Sequence, residues 1–325
     1  MTVPEAALDV SGLVVDLPGR EGPVRVVDDV SFTITPATTV GLIGESGSGK
    51  TMTANAVIDL LPAGARTGGT LRWQGEDLLR ASRTRRRAVR GHEIAMIFQD
   101  PLAALNPTQT VGRQVGEILR RAGRPSDQVR RRVIELLDRA GIPEPAARLR
   151  NYPHEFSGGM RQRAMIALAL AGSPALLLAD EPTTALDVTV QARILRLLRD
   201  IQEDEGLAML LVSHDLRVVN HVAHQVVVMY AGRVAERGPT TKVLSKPAHP
   251  YTRALVDSVP AVRTRTALAH PLPGTPATPA NRPAGCAFHP RCPLARDVCR
   301  TEQPAVREFG SGRWSACHFA EELVG

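Results

Sequence analysis

Aromatic side chains make up only 3% of this 325-residue chain: two tryptophans, three tyrosines and six phenylalanines. That scarcity argues against the stacking platforms on which single-stranded nucleic acids lie. No apolar run approaches the roughly 20 residues that a membrane-spanning helix needs. The N-terminus, with acidic Glu5 and Asp9, lacks the apolar stretch of a signal peptide. A soluble, cytosolic protein is expected, with any membrane role coming through a partner. Lysine is nearly missing too, since Lys50, Lys242 and Lys246 stand against 37 arginines. A formal charge of +7 and a pI of about 9.8 would suit an anionic partner. So lopsided a choice of cation reads instead as a coding bias toward arginine, and no nucleic-acid partner is expected. Cysteine is absent before position 286, and all four lie from there onward.

What is present begins with Gly44-Glu45-Ser46-Gly47-Ser48-Gly49-Lys50-Thr51, which reads G-x-x-x-x-G-K-T. Before it, Thr39 to Ile43 is a short β-branched apolar run that reads as a buried strand. After it, Met52 to Ile58 has helix-compatible spacing. Strand, glycine loop and helix are the context this motif requires. Its glycines let successive backbone N–H groups surround phosphate oxygens, and the helix N-terminus adds positive potential. In such a loop Lys50 reaches the β- and γ-phosphates of a nucleoside triphosphate, and the Thr51 hydroxyl holds Mg²⁺.

Around the loop the pattern alternates between strands and helices. Leu8 to Val15 and Val24 to Ile34 alternate apolar and polar positions as an antiparallel edge sheet, with Gly19 to Pro23 as the turn. Gly69 to Trp73 adds a strand, and Arg83 to Arg87 is expected on a solvated helix face. Ile94 to Phe98 is a compact strand ending at Gln99-Asp100-Pro101. Val115, Ile118 and Leu119, then Val133, Leu136 and Leu137, mark helices of an insertion at about residues 100–165. Phe156-Ser157-Gly158-Gly159-Met160-Arg161-Gln162-Arg163 opens a long helix with Ser157 as N-cap, a second anion-binding device. Ala175 to Ala179 and Ala208 to Val212 are buried strands, ending at Asp180-Glu181 and Ser213-His214-Asp215, with the amphipathic helix Val188 to Ile201 between them. Val226 to Tyr230 and Arg233 to Glu236 form a hairpin. From Pro247 the character changes. A short helix follows His249-Pro250-Tyr251, Pro271 to Pro283 is proline-rich, and the cysteines lie beyond. Residues 1–246 are therefore expected as one α/β domain and 247–325 as a separate extension.

In this order the motifs resemble those of the ATP-binding subunits of ABC transporters. The tail, with His249-Pro250-Tyr251 and the four cysteines, resembles the C-terminal extension of the dipeptide/oligopeptide (and nickel) importer subfamily, and Phe156 to Arg163 and Ala185-Leu186-Asp187-Val188-Thr189-Val190-Gln191 are similar to that subfamily too. The resemblance implies a P-loop cassette with a mostly parallel core sheet, an antiparallel edge sheet and an inserted helical subdomain. It implies that Asp180, Thr51 and Gln99 hold Mg²⁺, that Glu181 acts as general base on water, and that Gln99 senses the nucleotide. His214 would hydrogen-bond the γ-phosphate, and Asp187 would lie at a dimer seam. Ser157, Gly158, Gly159, Met160 and Gln162 would cover the ATP of a second subunit, in that subfamily commonly a different chain. The family usually has an aromatic residue near the end of the first strand to stack on adenine. From Leu13 to Val30 there is none, and Leu17 occupies the place, so weak base selectivity is expected. Implied partners are two transmembrane permease subunits, docked near Asp100 to Pro107, and an extracytoplasmic solute-binding protein. The cytoplasmic membrane face is then the expected location.

Cys286, Cys292, Cys299 and Cys317 follow C-x5-C-x6-C-x17-C. Disulfides are disfavoured in a cytosolic chain, so metal is expected: four-thiolate Zn²⁺ or an iron–sulfur cluster, with unligated structural cysteines as the remaining choice. The resemblance favours [4Fe–4S]. His289 and His318 lie nearby as substitute ligands but read as surface residues. Import of peptides is the leading function, with nickel or another small solute as the alternative. A soluble ABC ATPase acting on nucleic acid fits less well, because such proteins carry long insertions or two fused cassettes. A non-catalytic subunit would be expected to lose Glu181 or His214.

Overall fold

The computed structural model describes residues 6–184, 186–258, 274–310 and 312–324. Glu5, Ala185 and Pro271 to Pro273, all named above, lie outside the described residues. Two compact units are formed, one from residues 1–81 with 210–325 and the other from residues 82–209.

The first unit is built on two sheets. Leu8–Leu17 and Val24–Ile34 pair antiparallel, Leu8 opposite Ile34 and Leu17 opposite Val24. Arg66–Trp73 pairs on the other side of Leu8–Leu17 and carries the short strand Glu76–Asp77 at its edge. Leu8 and Val10, then Leu13 and Val15 beyond a register shift, are buried at alternate positions, so this sheet has one packed and one wetter face. Thr39–Ile43 shows no such alternation because all five residues are buried, as in a strand covered on both faces. It pairs parallel with Gln225–Tyr230, Ile43 opposite Val228. The second sheet runs Arg307–Glu308, Trp314–Ser315, Arg233–Pro239, Gln225–Tyr230, Thr39–Ile43 and Ala208–Ser213. The hairpin between Tyr230 and Arg233 turns through Ala231 and Gly232 at φ 47° and 84°, the paired positive angles that a two-residue turn requires.

Composition sets the tail apart at residue 247, but burial joins it to the strands. Tyr251, Val256 and Phe288 belong to the same buried cluster as Ile43, Val226 and Tyr230. Trp314–Ser315 lengthens the sheet by pairing with Arg233–Pro239. The crossing is fixed by Glu236, whose fully buried carboxylate accepts the N–H groups of Ala248 (2.9 Å) and His249 (3.0 Å) and Nη2 of Arg313 (3.1 Å). Burial still holds this carboxyl above its ordinary pKa, since desolvation outweighs those contacts.

In the second unit Ile94–Ile97 and Leu176–Asp180 pair parallel, Ile94 opposite Leu176 and Ile97 opposite Ala179. Helix Val111–Arg121 starts at Thr110, whose hydroxyl accepts the Arg113 N–H, and buries Val111, Gln114, Val115 and Leu119. Helix Ser126–Arg139 buries Val129, Val133, Leu136 and Leu137, the face that the apolar spacing predicts. The arginine run forms helix Arg83–Ala88, which buries none of its residues, and Arg85 pairs with Glu93. Gly158–Leu170 and Val188–Glu205 complete the long helices. Among the described residues no helix is long and apolar enough to cross a membrane.

His249 is 3% exposed, and its Nδ1 accepts the Tyr251 N–H at 3.0 Å, capping helix Pro250–Asp257. Burial lowers its pKa from 6.5 to about 4, against a hydrogen bond to the backbone of Ala316 that favours the charged ring. The unfolded chain therefore takes up a proton between pH 6.5 and 4 that the folded chain refuses. Stability is expected to fall across that window by roughly 3 kcal/mol in all and to be unaffected above it. Urea midpoints from pH 7.5 to 4.5 should show this slope in the native chain and lose it in His249→Asn, which keeps a capping side chain.

Candidate active site

The parallel pairing of Thr39–Ile43 releases the chain at the strand's carboxyl end, where the glycine loop begins. Gly44 has φ 152°, and a Cβ there would stand 2.2 Å from the Met229 carbonyl oxygen, so no side chain fits. Gly49 (φ 100°) is the N-cap of helix Lys50–Val57 and offers no side-chain cap, so the positive end of the helix faces the loop. Ser46 and Gly47 are exposed, Ser48 is buried, and the Ser48 carbonyl accepts the Gly232 N–H at 3.0 Å. Lys50 is buried, and its Nζ donates to the carbonyls of Gly44 (2.8 Å) and Glu45 (3.0 Å), which holds the ammonium over the loop. Thr51 follows on the first helical turn, half-buried. A glycine-rich turn that leads into a helix N-terminus beside a fixed cation suits an anion such as a phosphate.

Two other predicted residues belong to the same unit. Leu17 is half-buried at the end of its strand. His214 is exposed and directly follows the buried strand Ala208–Ser213. Asp215 beside it caps helix Leu216–Val222 through the Arg217 N–H (2.9 Å) and pairs with Arg217 Nη2 (2.8 Å). Burial would raise the Asp215 carboxyl, but the Arg217 contacts outweigh it and hold the group below its usual range.

The second unit gathers the carboxylates. Parallel pairing ends Ile94–Ile97 and Leu176–Asp180 at one edge, bringing Gln99 to Glu181, with Nε2 donating to Oε2 at 3.3 Å. Thr184 Oγ1 donates to the same oxygen at 2.9 Å. Asp180 is 4% exposed and Glu181 is half-buried, so the adjacent acids differ in solvation. Glu181 also has φ 45°, a left-handed backbone that costs a non-glycine residue about 1–2 kcal/mol. The Ser157 hydroxyl accepts the Met160 N–H at 3.3 Å and caps helix Gly158–Leu170 as the sequence predicts. A Cβ at Gly159 would meet Val190 at 2.8 Å, so this glycine is required by packing, while Gln162 is buried. Asp187 caps helix Val188–Glu205 by accepting the Val190 N–H at 2.9 Å.

The ABC transporter family matches residues 27–184, and the family described as oligopeptide/dipeptide transporter, C-terminal region, matches residues 235–299. The dipeptide transport ATP-binding protein DppD of Escherichia coli (strain K12) is 45% identical over 322 residues, covering 98% of each chain. The oligopeptide transport ATP-binding protein OppD of Salmonella typhimurium is 42% identical over 319 residues, 98% of this chain and 95% of that one. The chain belongs to the ABC transporter ATP-binding subunits. A dimeric ATP-binding cassette, solved in a post-hydrolysis state with ADP and Pi, superposes with a TM-score of 0.65 at 25% identity, over 72% of this chain and 98% of that one. The P-loop cassette fold read from the motifs is thus the fold of this ABC subunit, with its parallel and antiparallel sheets.

Cys286, Cys292, Cys299 and Cys317 are free thiols lining one small cavity with Phe288 and Leu294. Burial raises the pKa of Cys286 and Cys292 and pushes Cys317 up to about 11. The Phe319 N–H opposes this by donating to Cys317 Sγ at 3.5 Å, and the amides of Phe288 and Leu294 act likewise on Cys286 and Cys292. Among the described residues no group of three or more His, Cys, Asp or Glu side chains is arranged to hold a metal ion. The metal expected from the cysteine spacing therefore gains no support from their arrangement. His289 and His318 each engage a backbone carbonyl, of Cys286 and Glu302, at 3.0 Å.

Three contacts escaped the sequence. Thr184 joins Glu181, Tyr251 Oη accepts the Glu45 N–H at 2.8 Å, and Arg291 pairs with the Glu45 carboxylate at 2.7 Å. Tyr251 carries a signal, because the His-cap and Pro at the first helical position aim it; Arg291 is one arginine among 37 and carries none.

The positive φ of Glu181 has a measurable consequence. Glu181→Val should destabilise the fold by about 1–2 kcal/mol more than Glu181→Gly, because only the β-branched residue resists a left-handed backbone. Equal denaturation midpoints for the two variants would show that the strain is absent.

Proposed function

We propose that this chain is the ATP-hydrolysing subunit of an importer that carries di- and oligopeptides across the cytoplasmic membrane, acting on a permease from its cytoplasmic face. The observation that carries this is end-to-end similarity to a dipeptide transport ATP-binding protein, 45% identical over 98% of both chains. The match of residues 235–299 to the C-terminal region of oligopeptide/dipeptide transporters supports peptides over other solutes. Residues 1–246 form the ATP-binding domain and 247–325 the extension in this reading. The partners are a second, different ATPase subunit, two permease subunits and an extracytoplasmic solute-binding protein.

The residues fit that chemistry. The glycine loop from Gly44 to Gly49, apart from the Glu45 N–H given to Tyr251, binds the phosphates, Lys50 neutralises the β- and γ-oxygens, and Thr51, Asp180 and Gln99 would hold Mg²⁺. Glu181 orients and deprotonates the attacking water, which suits a carboxylate held by Gln99 and Thr184. His214 contacts the γ-phosphate, and Leu17 gives the adenine an apolar edge. Ser157, Gly158, Gly159, Met160 and Gln162 serve the nucleotide of the partner ATPase, with Asp187 at the seam. ATP bound between two subunits stabilises the closed pair and hydrolysis releases it, a ligand-driven population shift.

For the four cysteines we infer a [4Fe–4S] cluster, with Zn²⁺ as the competing metal. Supporting it are four soft donors on one cavity and amides aimed at three of the sulfurs, the hydrogen-bonding that tunes such clusters. The thiols would lose protons on binding it, so loading is pH-dependent. Anaerobically purified protein is expected to be brown with broad visible absorption; colourless protein with one zinc per chain would overturn the cluster. For the ATPase, Glu181→Gln should bind ATP yet hydrolyse it on the order of 10²-fold more slowly or worse. Proteoliposomes with the permease and binding protein should take up peptides in proportion to ATP hydrolysed, and uptake of nickel in their place would refute the peptide assignment.

A further inference from the structure

Glu45 is the second residue of the phosphate loop, and three separate groups hold it. Its carbonyl accepts from Lys50 Nζ at 3.0 Å, within the loop itself. Its N–H donates to the hydroxyl of Tyr251 at 2.8 Å, from a residue 206 positions away. Its carboxylate takes both ends of the Arg291 guanidinium, Nη1 to Oε2 at 2.7 Å and Nη2 to Oε1 at 2.9 Å. This is the planar, two-pronged pairing that fixes orientation as well as charge.

The grip is rigid because its far side is packed. The Arg291 side chain is 3% exposed, and Nη1 also donates to the Tyr230 hydroxyl at 3.3 Å. The Tyr230, Tyr251 and Phe288 rings stand 4.6 to 5.4 Å apart, centroid to centroid. Tyr230 ends the strand that pairs parallel with the one leading into the loop. The tail therefore reaches the loop through a closed aromatic wall.

A carboxylate one residue into a phosphate cradle is an electrostatic liability, since a triphosphate arriving there meets a negative charge. Buried and bidentate, Arg291 cancels that charge and turns the carboxylate toward the tail. Tyr251 meanwhile fixes the peptide plane between Gly44 and Glu45, the plane from which the rest of the loop departs. We propose that Tyr251 and Arg291 are positioning residues of the nucleotide site, so that the C-terminal segment forms the back wall of the phosphate loop. This rests on the ATPase reading of the loop.

The test is titration of the full chain with Mg²⁺ and a fluorescent N-methylanthraniloyl ATP. Arg291→Met is expected to weaken binding at least tenfold, because it leaves Glu45 charged and unpaired beside the phosphates. Glu45→Gln combined with Arg291→Met should recover to within about threefold of Glu45→Gln alone, since the repelling charge is gone. Tyr251→Phe should weaken binding about three- to tenfold, the loss of one buried hydrogen bond. If Arg291→Met does not fold, Arg291→Lys serves, with an intermediate loss expected from a cation that cannot fork. Wild-type affinity in the folded Arg291 and Tyr251 variants would overturn the proposal. So would a double variant no better than Arg291→Met, which would mean that only packing was lost. Failure of the unaltered chain to bind the probe would instead refute the ATPase reading.

Discussion

Parallel strand pairing is the constraint on which the placement of chemistry depends. When strands run side by side in one direction, the chain leaves each of them at the same edge. In the first unit this brings Gly44, which follows Ile43, beside Met229 and Tyr230 at the end of the paired strand. In the second it brings Gln99 to Glu181 across a register fixed from Ile94 and Leu176 onward. A slip of register in either pair would separate the residues that its strand ends bring together. The apolar strands are thus what aim the polar residues, although none of them touches a ligand.

Close approach is the second theme. At Gly44 and Gly49 a side chain would collide with backbone carbonyls of Met229 and Val26, and at Gly159 with Val190. These glycines serve different ends. Gly44 and Gly49 let the loop curl tightly enough for its amides to converge, whereas Gly159 lets helix Val188–Glu205 approach helix Gly158–Leu170. Glu181 shows the opposite device, since a residue that dislikes its backbone angle is kept there by the strand before it and by the Gln99 and Thr184 contacts. Strain at a carboxylate turned out of a buried strand end is what a hydrolytic site would retain.

Most of the cassette was legible because its signals are local. Thr39 to Ile43, the loop and its helix are contiguous, and the cap Ser157 acts within three residues. Periodicity alone marked Val133, Leu136 and Leu137 as one buried face. What stayed hidden is long-range. The ion pair of Glu45 with Arg291 spans 246 positions, and Glu236 with Arg313 spans 77. In an arginine-rich chain neither partner stands out by type. Packing across the change in composition was also hidden: a proline-rich, cysteine-bearing stretch differs from a β-rich core in composition, yet Tyr251 and Phe288 are buried with Ile43 and Val226. The cysteine spacing named soft donors but did not fix their arrangement.

Because the first unit is assembled from residues 1–81 and 210–325, its fold cannot be completed as the chain emerges in order. The strand Thr39–Ile43 must await Gln225–Tyr230 for its parallel partner, and the cluster around Ile43 must await Phe288. Residues 82–209 are contiguous and have their partners in hand much earlier. At the roughly 5–20 residues per second of translation, the phosphate loop spends on the order of ten seconds or more without its neighbours. The phosphate loop, early in the sequence, is therefore among the last parts of the protein to take its working shape.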